Sequence, residues 1–140
     1  MRLSLIMFIF SVILLVSGVQ AFAEEETPTP GLDNCLENAS EYQEISTCYF
    51  NASEYWDKIL NDNYAKAKNQ CKQAADERLC SQSLLSAQRT WLAYRDSFSK
   101  SLYDIMGTNR VTDIQSSKFI YMATKSQALI LADIEVISDF

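Results

Sequence analysis

Apolar residues along this chain recur at the three- and four-residue steps of an α-helix. Three long segments carry the pattern, at residues 51–70, 81–106 and 113–137. Residues spaced in this way share one face of a helix, and no segment shows the every-second-residue alternation of a half-buried strand. Both prolines lie before residue 31, so none interrupts a helix. The pattern predicts an all-α fold, a small antiparallel bundle of three long helices preceded by a short helical segment.

Polar residues at the ends of these segments predict where the long helices begin and end. Asn51, followed three residues later by Glu54, matches a capping box for the first long helix. Gly107 is expected to end the second long helix, and Thr112 is expected to cap the third. The short helical segment is predicted upstream of all three, over residues 33–48.

The first 23 residues are predicted to be a secretory signal peptide. Arg2 gives a positive start, Leu3 to Val16 is almost continuously apolar, and Ala21–Ala23 provides a small-residue cleavage site. No cysteine directly follows the apolar run, so neither a lipid anchor nor any stable membrane anchor is expected after cleavage. We expect residues 24–32 to form a flexible leader and residues 33–140 to form the folded domain. The expected location is the bacterial periplasm or the medium outside the cell.

The net charge of the chain is negative. The full sequence has a net charge of −6 at neutral pH, which becomes −7 when Arg2 is removed with the signal peptide. Such a surface repels nucleic acid and anionic membranes, whereas it attracts basic proteins and speeds their encounter. We therefore expect a basic protein partner and no nucleic acid. An acidic balance also keeps exported proteins soluble, whatever they bind.

The chain contains no histidine. The commonest general base and metal ligand is therefore missing, and with it the Ser-His-Asp and Cys-His mechanisms. An enzyme that cleaves the cell wall is disfavoured, because no pair of carboxylates lies in a recognisable cleft-forming motif. We predict no catalytic residue, no metal site and no cofactor.

The four cysteines, Cys35, Cys48, Cys71 and Cys80, indicate two disulfides in an exported protein. Three pairings are possible, and the sequential one, Cys35–Cys48 with Cys71–Cys80, is favoured because it closes two short loops. A zinc site is disfavoured, since zinc-binding cysteines come in pairs separated by about two to four residues. A Cys35–Cys48 bond requires the short helical segment to turn back on itself, because a straight helix would hold the two sulfurs too far apart.

Polar residues on the first two long helices predict a set of contacts between them. If these helices form an antiparallel hairpin closed near residues 71–80, facing positions pair in a constant register. This register predicts three pairs, Asp57 with Arg95, Asn61 with Trp91, and Tyr64 with Gln88. We interpret them as a polar and aromatic seam inside the hairpin. Such a seam is costly to bury unless every polar group has a partner.

The same residues allow an alternative interpretation, a ligand-binding or catalytic site. Glu54 and Asp57 could supply paired carboxylates, and Arg89 or Arg95 could hold an anion. Asp–Arg pairs inside helices are usually structural, and no nucleophile or histidine lies beside these residues. The structural interpretation is therefore favoured.

Two stretches of the sequence resemble the LprI family, a group of small exported bacterial proteins. The two stretches are Asp57-x-x-Leu60-Asn61-x-x-Tyr64 and Leu84-x-x-Ala87-Gln88-Arg89-x-Trp91-x-x-Tyr94-Arg95-Asp96. The resemblance extends from about Cys35 to Glu135, and Cys35 and Cys48 look like the family's N-terminal cysteine pair. Family members commonly carry a cysteine where this chain has Ser99, and a partner cysteine where it has only Ser116 and Ser117. The resemblance then implies that a Cys71–Cys80 disulfide replaces the disulfide that those two family cysteines would form.

The resemblance implies a periplasmic or surface protein that inhibits lysozyme. Lysozymes of the animal type are strongly basic, which suits the negative charge of this chain. Two connections between helices are candidate contact surfaces, and the residues expected to meet the partner there are Lys72, Arg78, Asn109 and Arg110. The alternative function is that of an envelope or stress protein of the same fold that binds another partner.

Overall fold

The computed structural model describes residues 27–134, and the regular structure within that range is helical. In chain order the elements are α1 (Leu32–Asn38), α2 (Tyr42–Gln70), a 3₁₀ turn (Cys71–Gln73), α3 (Glu77–Met106) and α4 (Arg110–Ala132). The all-α prediction, with a short helix before three long ones, is confirmed. The predicted signal peptide and the first residues of the predicted leader lie outside the described residues. None of the helices between residues 27 and 134 is both long and apolar enough to cross a membrane.

Helix α2 begins at Tyr42, nine residues before the predicted start at Asn51. Its cap is Glu41, whose backbone N–H donates to Glu44 Oε2 over 3.1 Å. The backbone N–H of Ser40 donates to the same oxygen over 2.8 Å. These backbone hydrogen bonds, from Ser40 first and then Glu41, lower the pKa of Glu44 below its usual value. The predicted cap at Asn51 is therefore wrong, because a capping box exists earlier in the chain and residues 51–54 lie inside the helix.

Helices α3 and α4 also begin earlier than predicted. Asp76 caps α3 by accepting a hydrogen bond from the backbone N–H of Leu79. Asn109, rather than Thr112, caps α4, since its Oδ1 accepts from the backbone N–H groups of Val111 and Thr112. Thr112 lies buried in the first turn of α4. Within the described residues α4 ends at Ala132, and the predicted end near residue 137 lies outside them.

Gly107 ends α3 as predicted. Its φ of 77° lies in the left-handed region, where a residue with a Cβ is strained. The carbonyl oxygen of Gly107 accepts a 2.7 Å hydrogen bond from Thr112 Oγ1, which ties the turn to α4. The prediction from sequence therefore identified the turn and both residues in it, but it assigned the wrong role to Thr112.

The core lies between α2 and α4, which run parallel along most of their length. Trp56 and Leu60 of α2 pack with Tyr121 and Ala128 of α4, and all four side chains are buried. Small residues on both helices permit this close approach. Polar contacts fix the register. Asn63 Nδ2 donates to the carbonyl of Ala128 over 2.9 Å, and the hydroxyls of Ser46 and Ser117 lie 2.9 Å apart.

Helix α3 runs antiparallel to α4 and makes few contacts with α2. Hydrogen bonds between side chains link α3 to α4 in one constant register. They join Ser99 to Ser116, Gln88 to Gln127 and Tyr103 to Asp113. The predicted closely packed hairpin of the first two long helices is therefore wrong. The partner of α2 is α4, which packs into the space where the sequence analysis had placed α3.

Two disulfides join the cysteines in the sequential pairing that the sequence favoured. Cys35 of α1 is bonded to Cys48 of α2, with Cα atoms 5.7 Å apart. Cys71 is bonded to Cys80, with Cα atoms 5.4 Å apart, across the connection between α2 and α3. The chain reverses between Asn38 and Tyr42, so the expected turn within residues 33–48 is confirmed. Helix α1 itself begins at Leu32, directly after Gly31.

Candidate functional site

A polar cleft of about 230 Å³ separates α2 from α3, and α4 forms its floor. We call it the α2–α3 cleft. Helix α2 contributes Glu54 and Asp57, α3 contributes Arg95, and α4 contributes Ser117 and Thr124. The cleft exists because α2 and α3 pack against α4 rather than against each other. Asp57 and Arg95, which were predicted to lie in a closed seam, therefore line an opening to solvent.

Asp57 and Arg95 line the same cleft but find different hydrogen-bond partners from those predicted. Asp57 Oδ2 accepts a 3.0 Å hydrogen bond from Asn61 Nδ2, one turn along α2. The Arg95 guanidinium forms a 2.9 Å salt bridge with the neighbouring Asp96. It also lies 5.1 Å from the centre of the Trp91 ring. Between residues 27 and 134 the direct Asp57–Arg95 ion pair is not formed, since each side chain is satisfied within its own helix.

The other members of the predicted seam also have different neighbours. Gln88 is buried and its Oε1 accepts a 3.2 Å hydrogen bond from Gln127 Nε2 on α4. Tyr64 and Trp91 are half-buried and pack against the edge of the core. Asn61 is exposed. The predicted inward position is therefore confirmed for Gln88 and wrong for Asn61. For Gln88, α4 supplies the partner that had been assigned to α2.

Thr124 lies at the floor of the α2–α3 cleft with an unsatisfied hydroxyl. The residue is 1% exposed, and its Oγ1 has no hydrogen-bond partner in the described part of the chain. A buried hydroxyl without a partner is costly, and in a helix it usually bonds to a carbonyl one turn back. The two serines that share the cleft are engaged. Ser53 donates to the carbonyl of Phe50, and Ser117 contacts Ser46.

A larger groove of about 780 Å³ lies on the opposite side of the α2–α4 pair, beside the first described residues. Its walls include Leu32 and Leu36 of α1, Tyr49 of α2, and Tyr121 and Lys118 of α4. The groove could not be predicted from the sequence, because it depends on where α1 folds back. The acidic residues and the two prolines of the leader gave no signal of that position.

The chain before α1 is fastened beside this groove by two hydrogen bonds. Thr29 Oγ1 accepts a 2.8 Å bond from the Trp56 indole N–H. The same hydroxyl lies 2.8 Å from the Tyr121 hydroxyl. Part of the predicted flexible leader is therefore held against the core. In the described residues, no group of three side chains converges in the way needed to hold a metal ion.

The four residues predicted to contact a partner lie near the two ends of α3. Lys72 and Arg78 are exposed within the loop that the Cys71–Cys80 bond closes. Arg110 is exposed at the start of α4, and the Asn109 side chain is occupied in capping that helix. Since α3 has 30 residues, its ends are roughly 45 Å apart. One compact contact surface cannot contain both sets.

Comparison with known proteins identifies one family. The searches of curated proteins and of solved structures gave no significant match. The profile of the family described as "Lysozyme inhibitor LprI" matches residues 34–128, which is well over half of the chain and covers α2, α3 and most of α4. Both faces of the α2–α3 cleft and its floor fall within this match. This chain belongs to the LprI family of lysozyme inhibitors.

Proposed function

We propose that this protein is an exported inhibitor that binds a basic lysozyme. The observation that carries the proposal is membership of the LprI family over residues 34–128. The proposed activity is stoichiometric binding to the enzyme, and no reaction is assigned to the protein itself. The proposed location is the periplasm or the cell exterior, and the two disulfides support an oxidising compartment outside the cytoplasm.

Charge and rigidity support an inhibitory role. The chain has a net charge of −6, so it attracts a strongly basic enzyme and speeds the encounter. The disulfides fix the position of α1 on α2 and the entry into α3. A surface that is ordered before binding loses less entropy in the complex than a flexible one does.

The position of the lysozyme contact is a separate part of the proposal. Lys72 and Arg78 project from a connection that the Cys71–Cys80 bond closes, and they remain candidates for a contact with acidic groups of the partner. Arg110 and Asn109 remain candidates at the opposite end of α3. Because the two ends are far apart, at most one of them enters the enzyme's active-site cleft.

The test of the proposed function is a lysozyme assay with the purified, oxidised protein lacking residues 1–23. Hen-type lysozyme clears a suspension of bacterial cell walls, and we expect the protein to slow that clearing at a near-stoichiometric ratio. The control is the same amount of an unrelated acidic protein, which measures how much slowing comes from charge alone. Titration at several enzyme concentrations gives the inhibition constant.

Two results would contradict the proposal. If clearing is unchanged at a large molar excess, the protein does not inhibit this class of lysozyme. If the protein clears the suspension without lysozyme present, it has a wall-cleaving activity of its own. Repeating the assay at raised salt separates charge-driven encounter from the short-range contacts, because exposed charges are screened within about 10 Å at 0.1 M salt.

A further inference from the structure

We propose that the α2–α3 cleft binds a cationic side chain, an arginine or lysine, presented by the basic protein partner. The inference rests on the proposed function for the identity of that partner. It assigns a ligand class to a site built from Glu54, Asp57 and Thr124, with Arg95 on the opposite wall. Three properties of the cleft support this ligand class. They are its charge, the buried hydroxyl at its floor that lacks a hydrogen-bond partner, and its size.

The charge of the cleft favours a cation. Glu54 and Asp57 project from one wall, and within residues 27–134 neither carboxylate forms a salt bridge with a lysine or arginine. The Arg95 guanidinium on the other wall is already paired with Asp96 and lies over Trp91. Its charge is therefore largely balanced on α3. The two carboxylates of α2 remain to attract a positive group.

The floor of the cleft offers a hydrogen-bond acceptor that nothing in the described residues uses. Thr124 is buried, and its Oγ1 has no partner there. The helix could satisfy this hydroxyl internally, since threonine in a helix commonly bonds to a carbonyl one turn back. That bond is not made here. A cation between α2 and α3 would have Glu54 and Asp57 on one wall, and it could donate an N–H to the Thr124 hydroxyl at the floor.

The size of the cleft matches one side chain rather than a sugar chain or a peptide. Its volume of about 230 Å³ accommodates a single long side chain. A guanidinium carries five N–H donors and an ammonium carries three, so either can bond a carboxylate and a hydroxyl together. Charge-assisted hydrogen bonds of this kind are stronger than neutral ones. An anion would face the two carboxylates of α2, and Arg95 on the opposite wall is already paired with Asp96, so an anion is disfavoured.

The first experiment tests the cleft without lysozyme. ¹⁵N-labelled protein lacking residues 1–23 is titrated with Nα-acetyl-arginine amide, and backbone amide shifts are followed by NMR. We expect saturable shifts centred on Thr124 and Asp57. Nα-acetyl-glutamine amide is the neutral control and should produce no saturable change at these positions. Shifts that grow linearly with arginine and spread over the whole acidic surface would overturn the inference.

Matched variants identify which groups hold the cation. Asp57→Asn should weaken binding of the arginine amide about tenfold, as expected for loss of a charge-assisted hydrogen bond. Asp62→Asn is the control, because Asp62 is an exposed carboxylate of the same helix that does not line the cleft. It makes the same change in net charge and should leave the affinity nearly unchanged. Equal effects of the two variants would contradict a specific site.

Thr124→Val separates ligand binding from stability. The substitution keeps the shape of the side chain and removes the unsatisfied hydroxyl, so the free protein should unfold at the same or a higher temperature. The affinity for the arginine amide should fall at the same time. A lower unfolding temperature with unchanged affinity would show that the hydroxyl has a structural role, and the inference would fail.

The lysozyme assay then connects the cleft to the proposed function. If the native protein inhibits and Asp57→Asn raises the inhibition constant much more than Asp62→Asn does, both proposals are supported. If the native protein inhibits and the two variants behave alike, the cleft is not the contact, whereas the proposed function stands. If the native protein does not inhibit, the proposed function fails, and the NMR titration alone decides whether the cleft binds cations.

Discussion

Helices α2 and α3 have almost the same length but differ greatly in burial. Eight of the 29 residues of α2 are buried, because α4 covers one face along most of the helix. Helix α3 has 30 residues and buries only Gln88 and Ser99. Large apolar side chains on α3 remain in contact with solvent, including Tyr94 at 54% exposure and Ile105 at 77% exposure.

The difference comes from the side chains that face α4. Helix α2 presents alanine and serine between its large residues, so its backbone approaches α4 closely and Trp56 fills the remaining space. Helix α3 presents Gln88 and Arg95, whose polar ends need partners of their own. We infer that packing between α2 and α4 supplies most of the stability of the fold, whereas α3 mainly contributes side chains exposed to solvent. Matched substitutions in these two regions should therefore differ in their effect on stability.

The largest expected loss of stability comes from replacing either of the two tryptophans. Trp56→Ala removes a side chain that is 2% exposed in the α2–α4 core, and we expect a loss of about 3–5 kcal/mol in the free energy of unfolding. Trp91→Ala removes a half-buried tryptophan side chain from α3, and we expect roughly half that loss in the free energy of unfolding. Chemical denaturation followed by circular dichroism measures both. Equal losses would mean that α3 is as well packed as α2.

A designed disulfide should strengthen the weaker interface. The hydroxyls of Ser99 on α3 and Ser116 on α4 lie 2.7 Å apart and are buried. In the double variant Ser99→Cys/Ser116→Cys, oxidation should form a bond that stabilises the protein by about 3 kcal/mol in the loop-entropy model. A thiol assay counts the remaining free cysteines, and thermal unfolding gives the gain. Ser99→Cys alone is the control for the substitution itself. Two free thiols after oxidation would show that the helices do not hold this register.

Two buried amides provide a finer comparison. Asn63→Ala leaves the Ala128 carbonyl without its donor in the α2–α4 core, and we expect a loss of about 1–3 kcal/mol. Gln88→Ala breaks a longer hydrogen bond to the Gln127 side chain, which can turn towards water. We expect about 0.5–1.5 kcal/mol there. Urea denaturation resolves the difference. A greater loss at Gln88 would contradict the view that the α2–α4 interface dominates stability.

The smallest effect is a pH dependence at the start of α2. Backbone hydrogen bonds lower the pKa of Glu44 in the folded protein. Its contribution to stability is therefore complete above the unfolded pKa, about 4.3, and is lost as the pH falls through the lowered folded value. In Glu44→Gln this part of the acid dependence should disappear. Thermal unfolding between neutral and acidic pH gives the comparison, with Glu37→Gln, an exposed carboxylate of α1, as the control. An identical acid profile in Glu44→Gln and the native protein would contradict the assignment.

The sequence was sufficient to predict the helical class, the disulfide pairing and the Gly107 turn. It was not sufficient to predict which helices pack together. Asp57 and Arg95 fit an antiparallel register because helical periodicity reveals which face of a helix is inward, but does not reveal which helix covers it. A useful signal was present in the small residues of α2 and α4, such as Ala52 and Ala128, which permit close approach of two backbones.

The candidate site was harder to predict than the fold. Glu54, Asp57 and Arg95 were recognised as possible site residues, yet the cleft depends on α3 being held away from α2. The role of Thr124 could not be predicted, because a threonine on an apolar helix face gives no sign that its hydroxyl will lack a hydrogen-bond partner. The positions of Ser99 and Ser116 were more informative. Both were noted as departures from the family's cysteine pattern, and the structure brings their hydroxyls into contact.

The parallel packing of α2 on α4 has a consequence for the order of folding. The two hydrogen bonds between side chains of α2 and groups of α4 described above join residues that are 65 and 71 positions apart in the chain. In a chain that emerges from its N-terminus, α2 is complete long before α4 exists. During this interval Trp56 has no helix packed against it. Both disulfides involve residues up to Cys80 and can close during this interval. Both disulfides are therefore expected to form before the α2–α4 core does. Helix α4, in the last quarter of the chain, then packs onto a protein that is already cross-linked.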